Sequence, residues 1–522
     1  MQVSGRLGWD GWIKPGTWNP ITVTLRSTGT LEGRLVVDLP QEAGRQHIRV
    51  SRPVQVGAGG SRIVRFPALV RDSRRPPVLS LIRGQVVVAS EELAVSPART
   101  AATLLAEVGD STGGAGRLAD PVRRRAVAHL REEDLPEDAV AYASLDLLIV
   151  TNLNERILNE HQRSALREWV LHGGRVLVAG ALPDGPLAAW LLPGTYTGRE
   201  SVVRGVRSLG GGEVTIRQIQ RDPGTQPIWE GAVLLGVTAA RGLGSVTLWA
   251  PELVDVPPGS PLWRLALPAP PQPPELDELE VVSRAAFGPA AAGLLAYWIL
   301  WVAAVALAGL GRGRWLAIPL VAALATAGLR HMSQRAREIS GSPQIQALSV
   351  VVEGVEWTRA RGVQVSAYGG RFIYTLSAGS HPAVVGGFQD AEVEVLPDRV
   401  RIEAKQRAGD RLWLWWDGVA PRRLEVELSA DETELRTVGP LADLGEGTLF
   451  WQDRMIPLGR LQGRHRLDTG AWRPVEARHP GLRTLRAWIP QAGTIMKNHP
   501  VVVVEREGFG GGWWVVIPGR IR

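Results

Sequence analysis

The sequence predicts a multidomain chain: an N-terminal β-sandwich, an α/β unit, a transmembrane helical hairpin and an all-β C-terminal region. Three observations predict it. Apolar and polar residues alternate near both ends of the chain, as in half-buried strands. Two continuous apolar strands bracket an amphipathic helix near residues 145–180. Two apolar segments adjoin at 287–310 and 315–332. At 522 residues the chain is too long for one core, and length alone suggests about three or four domains.

Residues 1–100 read as a β-sandwich of immunoglobulin-like size. Ile21, Val23 and Leu25 share one face, Leu35 and Val37 another, and Pro40 marks a turn. Further strands at 61–68 and 77–89 are separated by Gly, Pro and Ser. The opening WDGWIKPGTWNP sets turn residues among Trp9, Trp12 and Trp18, a pattern that suits a plug at the end of a sandwich better than a sugar-binding platform.

Residues 101–267 change period. LDLLIV at 145–150 is a buried strand, Asn159 caps a helix with Gln162 at its third position, and Ala165, Leu166, Trp169 and Val170 form the inward stripe. Gly173 and Gly174 stop the helix, and RVLVAG at 175–180 returns as a strand, which makes a right-handed β-α-β unit. Strands near 213–219 and 245–250 follow. The linker, 268–286, opens with PAPPQPPE, a stiff extended spacer.

The segment 287–332 predicts two transmembrane helices. Phe287 to Leu310 carries no charge, and 24 helical residues reach roughly 36 Å against a hydrocarbon core of about 30 Å. The second stretch is shorter, bent at Pro319 and ended by Arg330. Trp298, Trp301 and Trp315 suit an interface, Arg330 can snorkel, and Arg312 and Arg314 favour a cytoplasmic turn. Arg335 and Arg337 argue the other way. No secretory signal opens the chain. From 340 to 522 the text is again strand and turn, as in LSVVVEGVEW and VVVVEREGFGGGWWVVIP. The glycines at 508 and 510–512 read as a hairpin turn, because a phosphate loop needs a following helix and a lysine.

Composition removes several function classes. The chain has no cysteine, so disulfides, thiolate metal sites and cysteine nucleophiles are excluded. The formal charge of +7 is carried by arginine, since lysine occurs only at Lys14, Lys405 and Lys497. Arg123, Arg124 and Arg125 are followed by Arg131 among Glu132, Glu133 and Asp134, a mixed, solvated surface with no cationic stripe interleaved with aromatics. Nucleic acid is not an expected partner.

Several stretches resemble a family of uncharacterised bacterial membrane proteins: GWDGWIKPGTWNPITVTL at 8–25, HQRSALREWVLHGGRVLVAGA at 161–181, GLGSVTLWAPELVDVPP at 242–258 and GPLADLGEGTLFWQDRMIPLGRL at 439–461. The resemblance implies a sandwich, a class I glutamine-amidotransferase-like (flavodoxin-like) domain at 101–267, the membrane hairpin and a β-rich tail. It also implies soluble parts outside the cytoplasmic membrane.

Amidotransferase chemistry needs an activated cysteine, which is absent. A serine substitute needs a G-x-S-x-G elbow, and AGSHP at 378–382 lacks its glycines. His161 and His172 flank the helix, roughly 16 Å apart along its axis, too far to share an ion, and both suit a surface. Asp146, at the start of a buried strand, can cap a neighbouring turn. Glu155 and Asp184 lie near the carboxyl ends of strands, where open α/β sheets bind ligands, and are the candidate cleft residues. No catalytic residue, metal site or cofactor is predicted. The expected function is that of a non-enzymatic, membrane-anchored envelope protein, whose partners are the lipid bilayer and another envelope protein or surface polymer. The alternatives are a hydrolase or transferase with a non-cysteine site in 101–267, and an accessory subunit of a transport or secretion complex.

Overall fold

A computed structural model describes residues 2–267 and 344–521, apart from 42–45, 72–74, 96–98, 110–113, 121, 123, 182–184, 366–369, 387, 389, 407–410, 443, 476–499, 507–512 and 519. Alternation at the N-terminus builds a three-stranded antiparallel sheet from Gln2–Leu7, Thr17–Arg26 and Ser61–Val70. Ile21, Val23 and Leu25 turn inward and are fully buried. Each contributes roughly 1.5–3 kcal/mol of apolar burial. They share one core with Leu35, Val37, Leu79 and Leu81.

Those partners belong to a seven-stranded sheet that the N-terminal region does not complete alone. Its four strands Leu31–Gln41, Gln46–Val56, Val78–Arg83 and Val86–Glu92 are joined by Gly370–Ser377, Arg399–Gln406 and Asp390–Val395. The junction is a parallel pairing of Asp390–Val395 with Gln46–Val56, which sets Ala391 opposite Ile48 and Val393 opposite Val50. The same core runs on into a nine-stranded sheet through Leu412, Leu414, Val502 and Val504. Residues more than 300 apart in sequence therefore fill one interior.

Between them in sequence lies another seven-stranded sheet. Arg125–Leu130, Thr103–Val108, Leu147–Asn152, Arg175–Ala181 and Gly244–Trp249 run parallel, and Val233–Arg241 and Gln226–Glu230 continue it as antiparallel strands. Helix α1 (Glu160–Leu171) connects two of the parallel strands. Asn159 accepts from the Gln162 N–H at 2.9 Å and Gln162 returns a bond to the Asn159 N–H at 3.1 Å, a reciprocal cap. Ala165, Leu166, Trp169 and Val170 are buried against the sheet.

The predicted fold class requires correction. Among the described residues there are 32 strands but only three α-helices, α1, α2 (Pro186–Leu191) and α3 (Pro261–Ala266), so the chain is predominantly β. It is not a mosaic containing an amidotransferase-like, flavodoxin-like α/β domain. The physical reason lies in the strands themselves. A continuous apolar strand announces that both its faces are buried, but not what buries them. A flavodoxin-like layer would cover them with helices. Here Trp9, Trp18, Leu69, Trp357 and Ala383, all from other sheets or the N-terminal segment, pack on the α1 face.

The transmembrane hairpin is corrected as well. Among the described residues no helix is long and apolar enough to cross a membrane. The longest, α1, has 12 residues and reaches about 18 Å. On that finding the reading of a two-helix, multi-pass envelope protein of a bacterial cytoplasmic membrane does not stand. Residues 287–332, with Trp298, Trp301, Arg312, Arg314, Trp315 and Arg330, lie outside the described residues. The expectation rested on the absence of charge, a property that a span shares with any fully buried segment.

His172, at the end of α1, ties the middle sheet to the C-terminal one. Its Nδ1 lies 2.7 Å from the Glu168 carbonyl and its Nε2 3.2 Å from the Val350 carbonyl. Burial holds its pKa below the ordinary value, against the backbone carbonyls that favour the charged ring. Leu171 and Leu243 pack beside it on Val350, Phe450, Val501 and Val503.

Candidate ligand-binding cleft

The N-terminal segment decides where the parts meet. In Trp9-Asp10-Gly11-Trp12 both central residues have positive φ, +50° and +79°, the backbone of a tight hairpin turn that Asp-Gly favours. Trp9 N–H and Trp12 N–H each bond the other's carbonyl at 2.8 Å. The turn drives Trp9 into the middle unit, where Nε1 donates to Ser144 Oγ at 2.8 Å and the indole packs 5.4 Å from the Tyr142 ring. Tyr142 stacks in turn on Trp169 of α1 at 5.3 Å. Lys14 donates to both oxygens of Asp146 at 2.8 Å, and Asp146 Oδ2 also accepts from the Leu104 N–H.

Trp18 performs the matching task toward the C-terminal region. Its Nε1 donates to Asp417 Oδ2 at 2.6 Å, and Asp417 Oδ1 accepts from Arg359 Nε at 2.9 Å and from Trp357 Nε1 at 3.4 Å. Beside this knot lies a cavity of about 290 Å³. Its apolar wall comes from Trp18, Leu39, Ile48, Val50, Phe66, Leu69, Val393 and Val395. Its polar lining comes from Arg52, Arg65, Glu137, Asp138 and His381, with His161 joining from the first turn of α1.

Each polar group is placed by its local backbone. Asp138 precedes the 3₁₀ turn Ala139–Ser144 and accepts from the Val140 N–H at 2.9 Å, the position where aspartate is preferred. His381 is the second residue of Ser380–Gly386, and its Nε2 lies 2.7 Å from Asp138 Oδ2. Arg65 donates to Glu137 Oε1 at 2.8 Å and to the Glu133 carbonyl at 2.6 Å. Arg52 Nη1 donates to the Arg65 carbonyl at 3.2 Å. Among the described residues no carboxylate lies within ion-pair distance of the Arg52 guanidinium.

The electrostatics follow from that layout. Burial alone would raise the Asp138 carboxyl, but the His381 ring, the Val140 N–H and the Arg52 charge together bring its pKa below the ordinary 3.8. Burial lowers the Arg52 pKa, partly offset by Asp138 and Glu137, with Arg62 adding repulsion. The Asp138 shift has a defined sign. The unfolded chain binds that proton more readily than the native one, so the associated stability is present above about pH 4 and is lost as pH falls through the depressed native value. Asp138→Asn is therefore expected to destabilise at pH 7, with the difference from wild type shrinking as pH falls below about 4 and through the depressed native value. Guanidinium titrations from pH 7 down into the acid range check this; a pH-independent difference would remove the linkage.

Serine chemistry is not assembled here. Ser380 and His381 are successive strand residues, whose side chains point to opposite faces. Ser380 Oγ turns to Ser377 Oγ at 3.3 Å, whereas His381 engages Asp138. Among the described residues no group of three or more His, Asp or Glu is placed to hold a metal ion.

Glu155, named from sequence, lies elsewhere. It is buried, and its Oε2 accepts from the Ala188 N–H at 2.9 Å in the first turn of α2. The fit requires glycine at 185, since a Cβ there would stand 2.0 Å from the Glu155 carboxyl carbon. Asp184 lies outside the described residues. The cleft residues Arg52, Arg65, Asp138 and His381 are invisible to motif reading because they come from four separate segments with no motif in common. Only AGSHP and the Asp before AVAY carry a local signal, the first a failed nucleophile elbow and the second an ordinary cap.

Residues 1–96 match the family described as Domain of unknown function (DUF8726), which covers the N-terminal sheets up to the entry into the middle unit. The likeness to a membrane-protein family with an amidotransferase-like domain is corrected by this result, since the matching family spans residues 1–96 alone and neither that domain nor a membrane hairpin is found in the described fold. No curated protein matches the sequence. Among solved structures, "Cytoplasmic Protein STM1381 from Salmonella typhimurium LT2" is 13% identical, over 29% of this chain and 88% of its own, with a TM-score of 0.23. At that score the pairing supports no argument about fold or function.

Proposed function

We infer that this protein is a non-enzymatic binding protein whose ligand occupies the cleft between the N-terminal sheets, the turn at Asp138 and the strand Ser380–Gly386. The observation that carries the reading is the cavity of about 290 Å³, lined by apolar side chains together with a few charged ones. Pockets of roughly 300 Å³ and upward, mostly apolar with a few fixed polar groups, are the usual form of a small-molecule site. The cleft is assembled from segments spread between Trp18 and Val395, so its occupancy would report on, and reinforce, the joining of the chain's parts.

A panel of small amphipathic molecules screened by thermal denaturation tests the reading. A ligand at 100 times its Kd adds about 2.7 kcal/mol, which is a shift of several degrees. Val395→Phe, a half-buried position on the cleft wall, is expected to keep the wild-type Tm without ligand and to abolish the ligand-induced shift. If no member of the panel stabilises the protein, or if the shift survives in Val395→Phe, the cleft is not the binding site.

A further inference from the structure

Resting on the cleft reading, we propose that the ligand is an amphipathic anion, its acidic head held by the Arg52 guanidinium and its apolar tail lying along Trp18, Phe66, Val393 and Val395. Charge pairing inside the cavity singles out the head's partner. Glu137 is ion-paired with Arg65 at 2.8 Å, and the Asp138 Oδ2 atom is engaged by the His381 ring at 2.7 Å. Arg52 is the guanidinium without a carboxylate in contact among the described residues. One of its five donors bonds the Arg65 carbonyl, and among the described residues no carboxylate reaches it.

A half-buried guanidinium with spare donors is a costly thing to leave unmatched, and a carboxylate fills that fork bidentately. The direction of its pKa agrees with a cation short of counter-charge, since burial is the largest influence on it and Asp138 and Glu137 offset that only in part. The other basic group lining the space is His161 at the α1 end, and Arg62, outside the lining, repels Arg52. Neither supplies a negative partner.

The rest of the wall sets the tail. Trp18, Phe66, Val393 and Val395 offer no free hydrogen-bonding group on that side, because the Trp18 indole N–H is already spent on Asp417. At about 30 Å³ per water-sized group, 290 Å³ holds roughly ten heavy atoms. That is the size of a medium-chain carboxylate and far below that of a long acyl chain or a nucleotide.

Octanoate, octanol and octylamine provide the test, titrated calorimetrically into the full chain. They share one tail and differ only in the head. Octanoate is expected to bind wild type at least tenfold more tightly than octanol. Arg52→Met should erase that preference and leave octanol affinity within about threefold, while Arg52→Lys should retain part of it as a point charge. Equal binding of octanoate and octanol to wild type, or tightest binding of octylamine, overturns the anion assignment and leaves the cleft reading in place. Failure of all three to bind overturns both. The wild-type comparison decides the matter even if a variant does not fold.

Discussion

Trp9→Ala is expected to cost about 3–5 kcal/mol of stability, at the upper end for a single core truncation. Trp9 is 1% exposed, and its removal would leave an indole-sized hole between Tyr142 and the N-terminal turn. It would also strip the buried Ser144 hydroxyl of its donor. The loss should reach beyond the first hundred residues, because Tyr142 stacks on Trp169 and so relays the packing to α1. Denaturant unfolding monitored by circular dichroism measures the cost, and hydrogen exchange in α1 measures the reach. Trp9→Phe should cost about 1 kcal/mol plus the lost hydrogen bond. A cost below about 1 kcal/mol for Trp9→Ala would mean that the plug does not join the units.

Asp417→Ala should follow closely, at about 3 kcal/mol. The carboxylate is 7% exposed and accepts from two indoles and a guanidinium, so its loss leaves three donors without their acceptor in a dry junction. Asp417→Asn keeps the shape and one acceptor oxygen and should recover part of the loss. The experiment has a spatial signature too. Exchange should rise in both Thr17–Arg26 and Val355–Val365, which are more than 300 residues apart in sequence and meet at this residue. If only the C-terminal strand loosens, Trp18 is not anchored there.

Much of the secondary structure was legible. Ile21, Val23 and Leu25 alternate because one face of their strand is dry, and the cap at Asn159 is a chemistry of four consecutive residues. Such signals are local, so reading them needs no knowledge of the fold. Classification failed where a local signal has more than one tertiary solution. LDLLIV states only that both faces are covered, and the expected helical cover proved to be in large part tryptophans and strands from distant segments. Glu155 shows the same ambiguity: it follows the end of a strand, and its carboxylate bonds the first turn of α2.

Strands, turns and caps are written locally, because each depends on residue type within a few positions, and the lack of cysteine excludes thiol chemistry from composition alone. The pairing of Gln46–Val56 with Asp390–Val395 and the hold of Asp417 on Trp18 emerge from the folded chain. The same holds for Arg52, Asp138 and His381, which face one cavity. Pairing between strands some 340 residues apart is set by which buried surfaces remain uncovered after local structure has formed. That is a property of the whole chain's packing, and no window of residues carries it.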